Sequence, residues 1–359
     1  MEVENSQILN LPAEIKCLES DVVIHSYQMS TVDENVYSRF SSDYDLDTEE
    51  YLGSGANGVV VCCKNRLDEK TYAIKKISVF VDEDFPFDEL MREAVILSKF
   101  NNPAIVRYHS VWIEPTFVGI TGDPQIPTEE HPVETDQPCL YIQQELCDCT
   151  VEQKMKAGAL TPEECAHIFL ETAKGLKHIH GHNIMHGDIK KANIFFSNGL
   201  LKIGDFGLAQ EIGDGTNEIK TKPPYSAPDE LVNAKADVFS LGILLVEMLL
   251  NSTGGHKASE VIRMLTKRGK AELPDSWPDG LLKTWVMRML KKEPSQRPSS
   301  SRIMKKKVEI EDAILKFHLK KKQKVHATAE KQIEGMQHKH RKPKNVKGKV
   351  QRHRRHSLL

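Results

Sequence analysis

The chain has 359 residues, 39% of them hydrophobic and 28% charged, enough apolar material for one large or two modest cores and too much for a disordered chain. Its longest apolar stretch, Leu241 to Leu250, contains Glu247 and falls well short of the roughly 20 residues a membrane helix needs, so no span is expected. The net charge of −2 divides unevenly: residues 303–359 hold 18 Lys/Arg against 5 Asp/Glu, a polycation attached to an acidic body.

Residues 1–37 are polar and acidic and read as a flexible leader without the basic and apolar regions of a secretory signal. Seven cysteines, with no repeated CxxC spacing, argue against a disulfide scaffold and a zinc site. A reducing, cytoplasmic setting follows, with the tail as a route to the nucleus. From Tyr51 the run YLGSGANGVVVCCKN and then TYAIKKISV have strand composition around a turn at Leu67 to Lys70. Leu90, Ala94 and Leu97 put a helix over residues 88–100, and two more strands follow at Ala104 to Glu114 and Cys139 to Glu145. Glu114 to Pro138, with five prolines, six acidic residues and no Lys or Arg, reads as a surface insert. After Leu146 the pattern turns helical: Pro162 to His180 behind the N-cap Thr161, then Lys235 to Leu250 and Leu281 to Lys292. An α+β protein is predicted, a small β-rich lobe followed by a larger helical one.

Gly53, Gly55, Gly58 and Val60 fit GxGxxGxV. Alone this is a weak signal, since glycines also serve turns for conformational reasons. Here they sit between two strands, which argues against a Rossmann site and for a flap over nucleotide phosphates. Lys75 lies inside an apolar strand and so needs a carboxylate partner. Glu93 on the next helix is the best candidate, although such a pair could also be purely structural. His186-Gly-Asp188-Ile-Lys190-Lys-Ala-Asn193 and Asp205-Phe-Gly207 flank IFFSNGLLKIG, which reads as a hairpin and brings its two ends together. Carboxylate and amide oxygens for a metal, an aspartate for a hydroxyl proton and a lysine for developing charge are what phosphoryl transfer requires.

This ordered set, completed by Ala227-Pro-Asp229 and the helix DVFSLGILLVEM, resembles the eukaryotic protein kinases from residue 38 to about 302. The resemblance implies a two-lobed fold with an N-lobe at 38–146, carrying the insert 114–138, and a C-lobe at 147–302, then a basic, disordered tail at 303–359. It implies ATP and magnesium as cofactors. Gly53, Gly55 and Gly58 would cover the phosphates, Val60 and Ala73 touch the adenine, and Glu145 and Cys147 supply hinge backbone contacts beside the gatekeeper Gln144. Lys75 would hold the α and β phosphates with Glu93 holding Lys75. Asp188 would be the base, Lys190 the γ-phosphate contact, and Asn193 and Asp205 the metal ligands. Lys190, two residues after Asp188, is the serine/threonine pattern.

More narrowly, residues 38–77, IVRYHSVWIE and CLYIQQELCD around an acidic insert resemble the kinases of the translation initiation factor 2 alpha subunit. That subunit is the implied substrate, with regulation of translation as the outcome. Expected partners also include RNA, the ribosome or another polyanion on the tail, and a second copy of the chain. A helix at Lys257 to Arg268 is a candidate substrate dock, or ordinary core. Three features depart from the kinase pattern. Gly187 replaces the arginine that grips a loop phosphate, TKPPYS lacks the usual Gly-Thr, and Asp229 stands for glutamate, to be met by Arg297 unless Arg297 pairs with Glu230. Gly187 and TKPPYS favour a second reading, a pseudokinase or decoy scaffold. The intact five residues Lys75, Glu93, Asp188, Asn193 and Asp205 oppose it.

Overall fold

The computed structural model describes residues 38–55, 58–79, 87–114, 138–213, 218–219, 221–252, 265, 273, 280–317 and 319. Strands β1 (Tyr44–Gly55), β2 (Gly58–Asn65), β3 (Thr71–Ser78), β4 (Tyr108–Glu114) and β5 (Cys139–Glu145) form one antiparallel sheet in the order β1-β2-β3-β5-β4. Alternation sorts their side chains. Cys139 and Tyr141 of β5 join Phe40, Tyr44, Val61, Cys63, Ile74 and Trp112 on one face. Leu140 and Ile142 join Val79, Met91, Ala94 and Val111 on the other, against helix α2 (Phe87–Ser98), which α1 (Arg39–Asp43) precedes in the chain.

Phe40 and Trp112 stack on Tyr141 with ring centroids 5.2 Å away in each case, and Arg39 lies 4.5 Å over the Trp112 ring. Glu114 fastens this cluster. Its carboxylate accepts from the Phe40 backbone N–H, the Trp112 indole and the Ser38 hydroxyl, each at 2.7 Å. The expected insert therefore loses its first residue: Glu114 is 4% exposed and belongs to the sheet, because its three donors would otherwise be buried unpaired.

The second lobe is organised around α5 (Ala234–Asn251), in which every residue from Ala236 to Leu249 is buried. A helix buried on all sides is a core element. Around it lie α3 (Val151–Ala157), α4 (Pro162–Gly181), α6 (Leu281–Met289), α7 (Ser300–Lys305) and α8 (residues 307–317). Thr161 and Glu164 form a capping box at the start of α4 with Pro162 at its first position, as the sequence pattern requires. Short strands β6 (Cys149–Thr150), β8 (Ile194–Ser197) and β9 (Leu200–Ile203) form one sheet, and β7 (Ile184–Met185) pairs with β10 (Gln210–Glu211). The β8–β9 hairpin turns at Asn198-Gly199, both with positive φ, the geometry Asn-Gly favours.

The boundary expected at residue 303 does not hold. Ile303, Ile310, Ile314 and Phe317 are buried in the core of the second lobe, so α7 and α8 belong to it despite their charge. The leader 1–37, insert residues 115–137 and the tail from 318 except Leu319 lie outside the described residues, as does the candidate dock at 257–268 except Leu265, which is buried. Among the described residues no helix is long and apolar enough to cross a membrane.

Candidate active site

The register of β2, β3 and β5 pairs Val60 with Lys75, Lys75 with Ile142 and Ala73 with Gln144. Val60, Ala73, Lys75 and Gln144 therefore share the sheet face opposite the aromatic stack. At the β1–β2 turn Gly58 has φ +124°, and a Cβ there would stand 2.1 Å from the Lys76 carbonyl oxygen, so only glycine fits. Gly53 pairs with Val60 and Gly55 with Gly58 across the same turn.

Lys75 is 8% exposed and donates to Glu93 Oε2 at 2.7 Å, Glu93 Oε1 at 3.0 Å and Asp205 Oδ1 at 3.1 Å. Burial alone would push its pKa down; the two carboxylates outweigh burial and hold the ammonium above the ordinary lysine range. Burial pushes the Glu93 carboxyl up against the opposing pull of Lys75. Asp205, with φ +58°, adopts a left-handed backbone uncommon for a non-glycine residue. Burial would raise its pKa, but Lys75, then His186 and Lys190, keep it below the usual carboxylate range.

A second group forms on the loop after β7. Asp188 Oδ2 accepts from Lys190 Nζ at 2.6 Å and Asn193 Nδ2 at 2.9 Å, and the same amide nitrogen donates to the Asp188 carbonyl. Gly204 joins the two groups: its N–H donates to the Asn193 carbonyl at 3.0 Å, and its own carbonyl lies 3.1 Å from His186 Nε2. The one buried side-chain polar atom without a partner among the described residues is Arg39 Nη1. Asp188 Oδ1, Asn193 Oδ1 and Asp205 Oδ2 make no hydrogen bond among the described residues.

At the junction of the lobes Glu145 pairs with Lys202 at 2.8 Å and accepts from the Arg107 N–H at 2.8 Å, while its own N–H donates to the Arg107 carbonyl. The Cys147 backbone has no hydrogen bond among the described residues, and burial pushes its thiol up to about 12.

Two residues escaped the sequence reading. Asp237 of α5, 1% exposed, accepts from the backbone N–H groups of His186 at 2.9 Å and Gly187 at 2.8 Å, and its Oδ2 lies 2.9 Å from His180 Nε2. His180 Nδ1 in turn lies 2.9 Å from the Ser300 hydroxyl. An acid at the start of an otherwise apolar helix was the available signal. Gly187 itself has φ +80°, and a Cβ on it would come within 2.8 Å of the Leu208 carbonyl. Among the described residues no cluster of three or more His, Cys, Asp or Glu could hold a metal.

Residues 46–308 match the protein kinase domain family. The eIF-2-alpha kinase GCN2 of Arabidopsis thaliana is 31% identical over 74% of this chain and 25% of its own length. The interferon-induced, double-stranded RNA-activated protein kinase of Rattus norvegicus is 31% identical over 81% of this chain and 55% of its own. The serine/threonine-protein kinase Nek11 of Mus musculus is 32% identical over 72% and 40%. The chain thus spans about a quarter to about half the length of these relatives. With both lobes and the Lys75, Glu93 and Asp205 triad in place, the match extends over most of the molecule, and the chain belongs to the protein kinase domain family.

Proposed function

We propose that the chain is a serine/threonine protein kinase that uses ATP with magnesium and phosphorylates the alpha subunit of translation initiation factor 2. Membership of the family implies ATP and a divalent metal. The residues fit both: an amide oxygen on Asn193 and a carboxylate oxygen on Asp205 are the hard donors that magnesium takes, and Lys75 is a fixed cation for phosphate. Bound ATP with its metal supplies the transferable phosphoryl group.

Asp188 is the proposed base. Lys190 and Asn193 fix its Oδ2 and leave Oδ1 to take the proton of a substrate hydroxyl. Lys190 donates to Asp188 here and is long enough to turn toward charge developing on the phosphoryl oxygens. Lys75, locked by Glu93, would hold the non-transferred phosphates; Gly53, Gly55 and Gly58 would lie over them. Val60, Ala73 and the backbone of Glu145 and Cys147 would bound the adenine.

The observation that carries this reading is the triple contact of Lys75 with Glu93 and Asp205, which also supports catalysis over a scaffold role. For the substrate the support is similarity to one relative that is an eIF-2-alpha kinase. For hydroxyl type it is Lys190 two residues after Asp188. The test incubates the full chain with ATP, magnesium and purified factor, then identifies the modified amino acid. Phosphoserine or phosphothreonine on the alpha subunit is expected; phosphotyrosine, or an unmodified factor beside a phosphorylated generic protein, would overturn the corresponding part.

A further inference from the structure

Lys191 lies one residue beyond Lys190, in the turn that joins Asp188 to Asn193, and two carboxylates meet on it. Its Nζ is 2.7 Å from Glu247 Oε1 and 3.7 Å from Glu152 Oε1. Glu247 comes from the central helix α5 with its side chain 8% exposed, and its other oxygen accepts from the Tyr225 hydroxyl. Tyr225 belongs to the stretch leading from Asp205 to Asp229. One buried carboxylate therefore ties the loop of the proposed base to the segment TKPPYS, whose departure from the kinase pattern bears on how a substrate hydroxyl is placed.

A carboxylate so deep in the lobe needs a cation, because an unpaired buried charge is costly. A peptide that presents its hydroxyl to Asp188 must run past this point, since Asp188 and Lys191 are on one short loop and Tyr225 is on the facing segment. We infer that Lys191 is a specificity-determining residue. It fills, from within the chain, an anionic site of Glu247 and Glu152 that would otherwise take a Lys or Arg side chain flanking the acceptor hydroxyl, and it disfavours such substrates by like charge. The inference rests on the serine/threonine kinase reading above and adds the class of sequence the site selects against. A salt bridge that only supported the loop would leave charge selectivity alone.

The experiment uses the full chain and a peptide series in which alanine or arginine is walked through the positions flanking one serine. The readout is the ratio of kcat/KM for arginine over alanine at each position, in which the fraction of active protein cancels. The parent is expected to show no gain from arginine at the position facing Lys191. Lys191→Met should raise the ratio there by about tenfold, within the worth of a desolvated charge pair. Lys191→Arg should keep the parent profile, and Glu247→Gln added to Lys191→Met should remove the gain. An active parent whose profile Lys191→Met leaves unaltered overturns the inference alone, as does loss of activity on every peptide by a Lys191→Met protein that melts like the parent. If Lys191→Met does not fold, Lys191→Gln is read against the same criterion. A parent inactive on every peptide and protein would overturn the kinase reading and this inference with it.

Discussion

Arg297 and Asp229 meet in a bidentate ion pair, with Nη1 2.7 Å and Nη2 2.5 Å from the two carboxylate oxygens. The three remaining donor directions are also used, on the carbonyls of Lys291, Lys235 and Lys292. Between Asp229 and Glu230, which the sequence left open as partners, the structure selects Asp229; Glu230 is exposed. The shorter acid in place of glutamate is thus compatible with a complete fork-to-fork pair.

Breaking that pair should be severe. Arg297→Met would leave the buried Asp229 carboxylate with the Asn233 amide as its remaining donor and take a donor from three backbone carbonyls, and it is expected to lower stability by about 3–5 kcal/mol. Urea unfolding of parent and variant measures it. A loss below about 1 kcal/mol would mean that water enters and replaces the guanidinium.

Asp188→Asn should lower kcat on a protein substrate by about 10² to 10⁴, the usual worth of a positioned base. ATP affinity should survive, because Lys75, the proposed phosphate contact, is held by Glu93 and Asp205 and not by Asp188. Steady-state kinetics with a nucleotide titration separates the two. A variant as fast as the parent would remove Asp188 from the chemistry.

How far the sequence showed this site depends on what kind of partner each residue has. Lys75 and Glu93 were legible because a charge in an apolar strand demands a counter-charge on the neighbouring helix. The β8–β9 hairpin was legible because Asn198-Gly199 specifies its turn. Asp237 was not, since two of its three partners are backbone N–H groups, which every residue carries and no composition reveals. Glu114 was read with an acidic insert because it adjoins one, and its donors, the Ser38 hydroxyl, the Phe40 N–H and the Trp112 indole, carry no charge that would call for an acid. Helix α8 was hidden by charge: Ile310, Ile314 and Phe317 follow helical spacing, but the lysines around them dominate the composition. The five-residue α1 is too short for any periodicity to show.

Gly187→Ala is expected to destabilise the loop that carries Asp188. Its positive φ disfavours any side chain, and the added Cβ would meet the Leu208 carbonyl at 2.8 Å. A cost of about 1–3 kcal/mol is expected, visible as a lower melting temperature and reduced kcat together. A Gly187→Ala protein with the parent's melting temperature would show that Leu208 yields freely.

Residues 318–359 carry 14 Lys/Arg against 2 Asp/Glu and are proposed to bind polyanions. Affinity of the full chain for a homopolymer RNA should fall steeply between low and physiological salt, and removing these residues should abolish it without lowering the melting temperature. A cut at 304 should lower it markedly, because it takes Ile310, Ile314 and Phe317 out of the core. Salt-insensitive binding would exclude counterion release as its source.

The last prediction concerns acid. Asp237 is buried, which alone would raise its pKa, but the hydrogen bond and charge of His180, the charge of His186 and the Gly187 N–H outweigh burial and depress it below the ordinary carboxylate value. A depressed carboxylate contributes stability that is fully present above its unfolded pKa, about 3.9, and that is lost as pH falls through the folded value. Asp237→Asn abolishes that contribution at every pH, since the amide offers one acceptor where the carboxylate serves His180 and two N–H groups. At pH 7 the variant should be less stable than the parent by about 3 kcal/mol, the scale for losing one member of a buried charged network. The gap should narrow as pH drops below the unfolded value, because the parent loses there what the variant never had. Thermal melts of both proteins from neutral to acid pH measure it. A gap that stays constant to pH 3 would assign the loss to packing of the amide, and the carboxylate charge would then have no part in holding His186 and Gly187 in place.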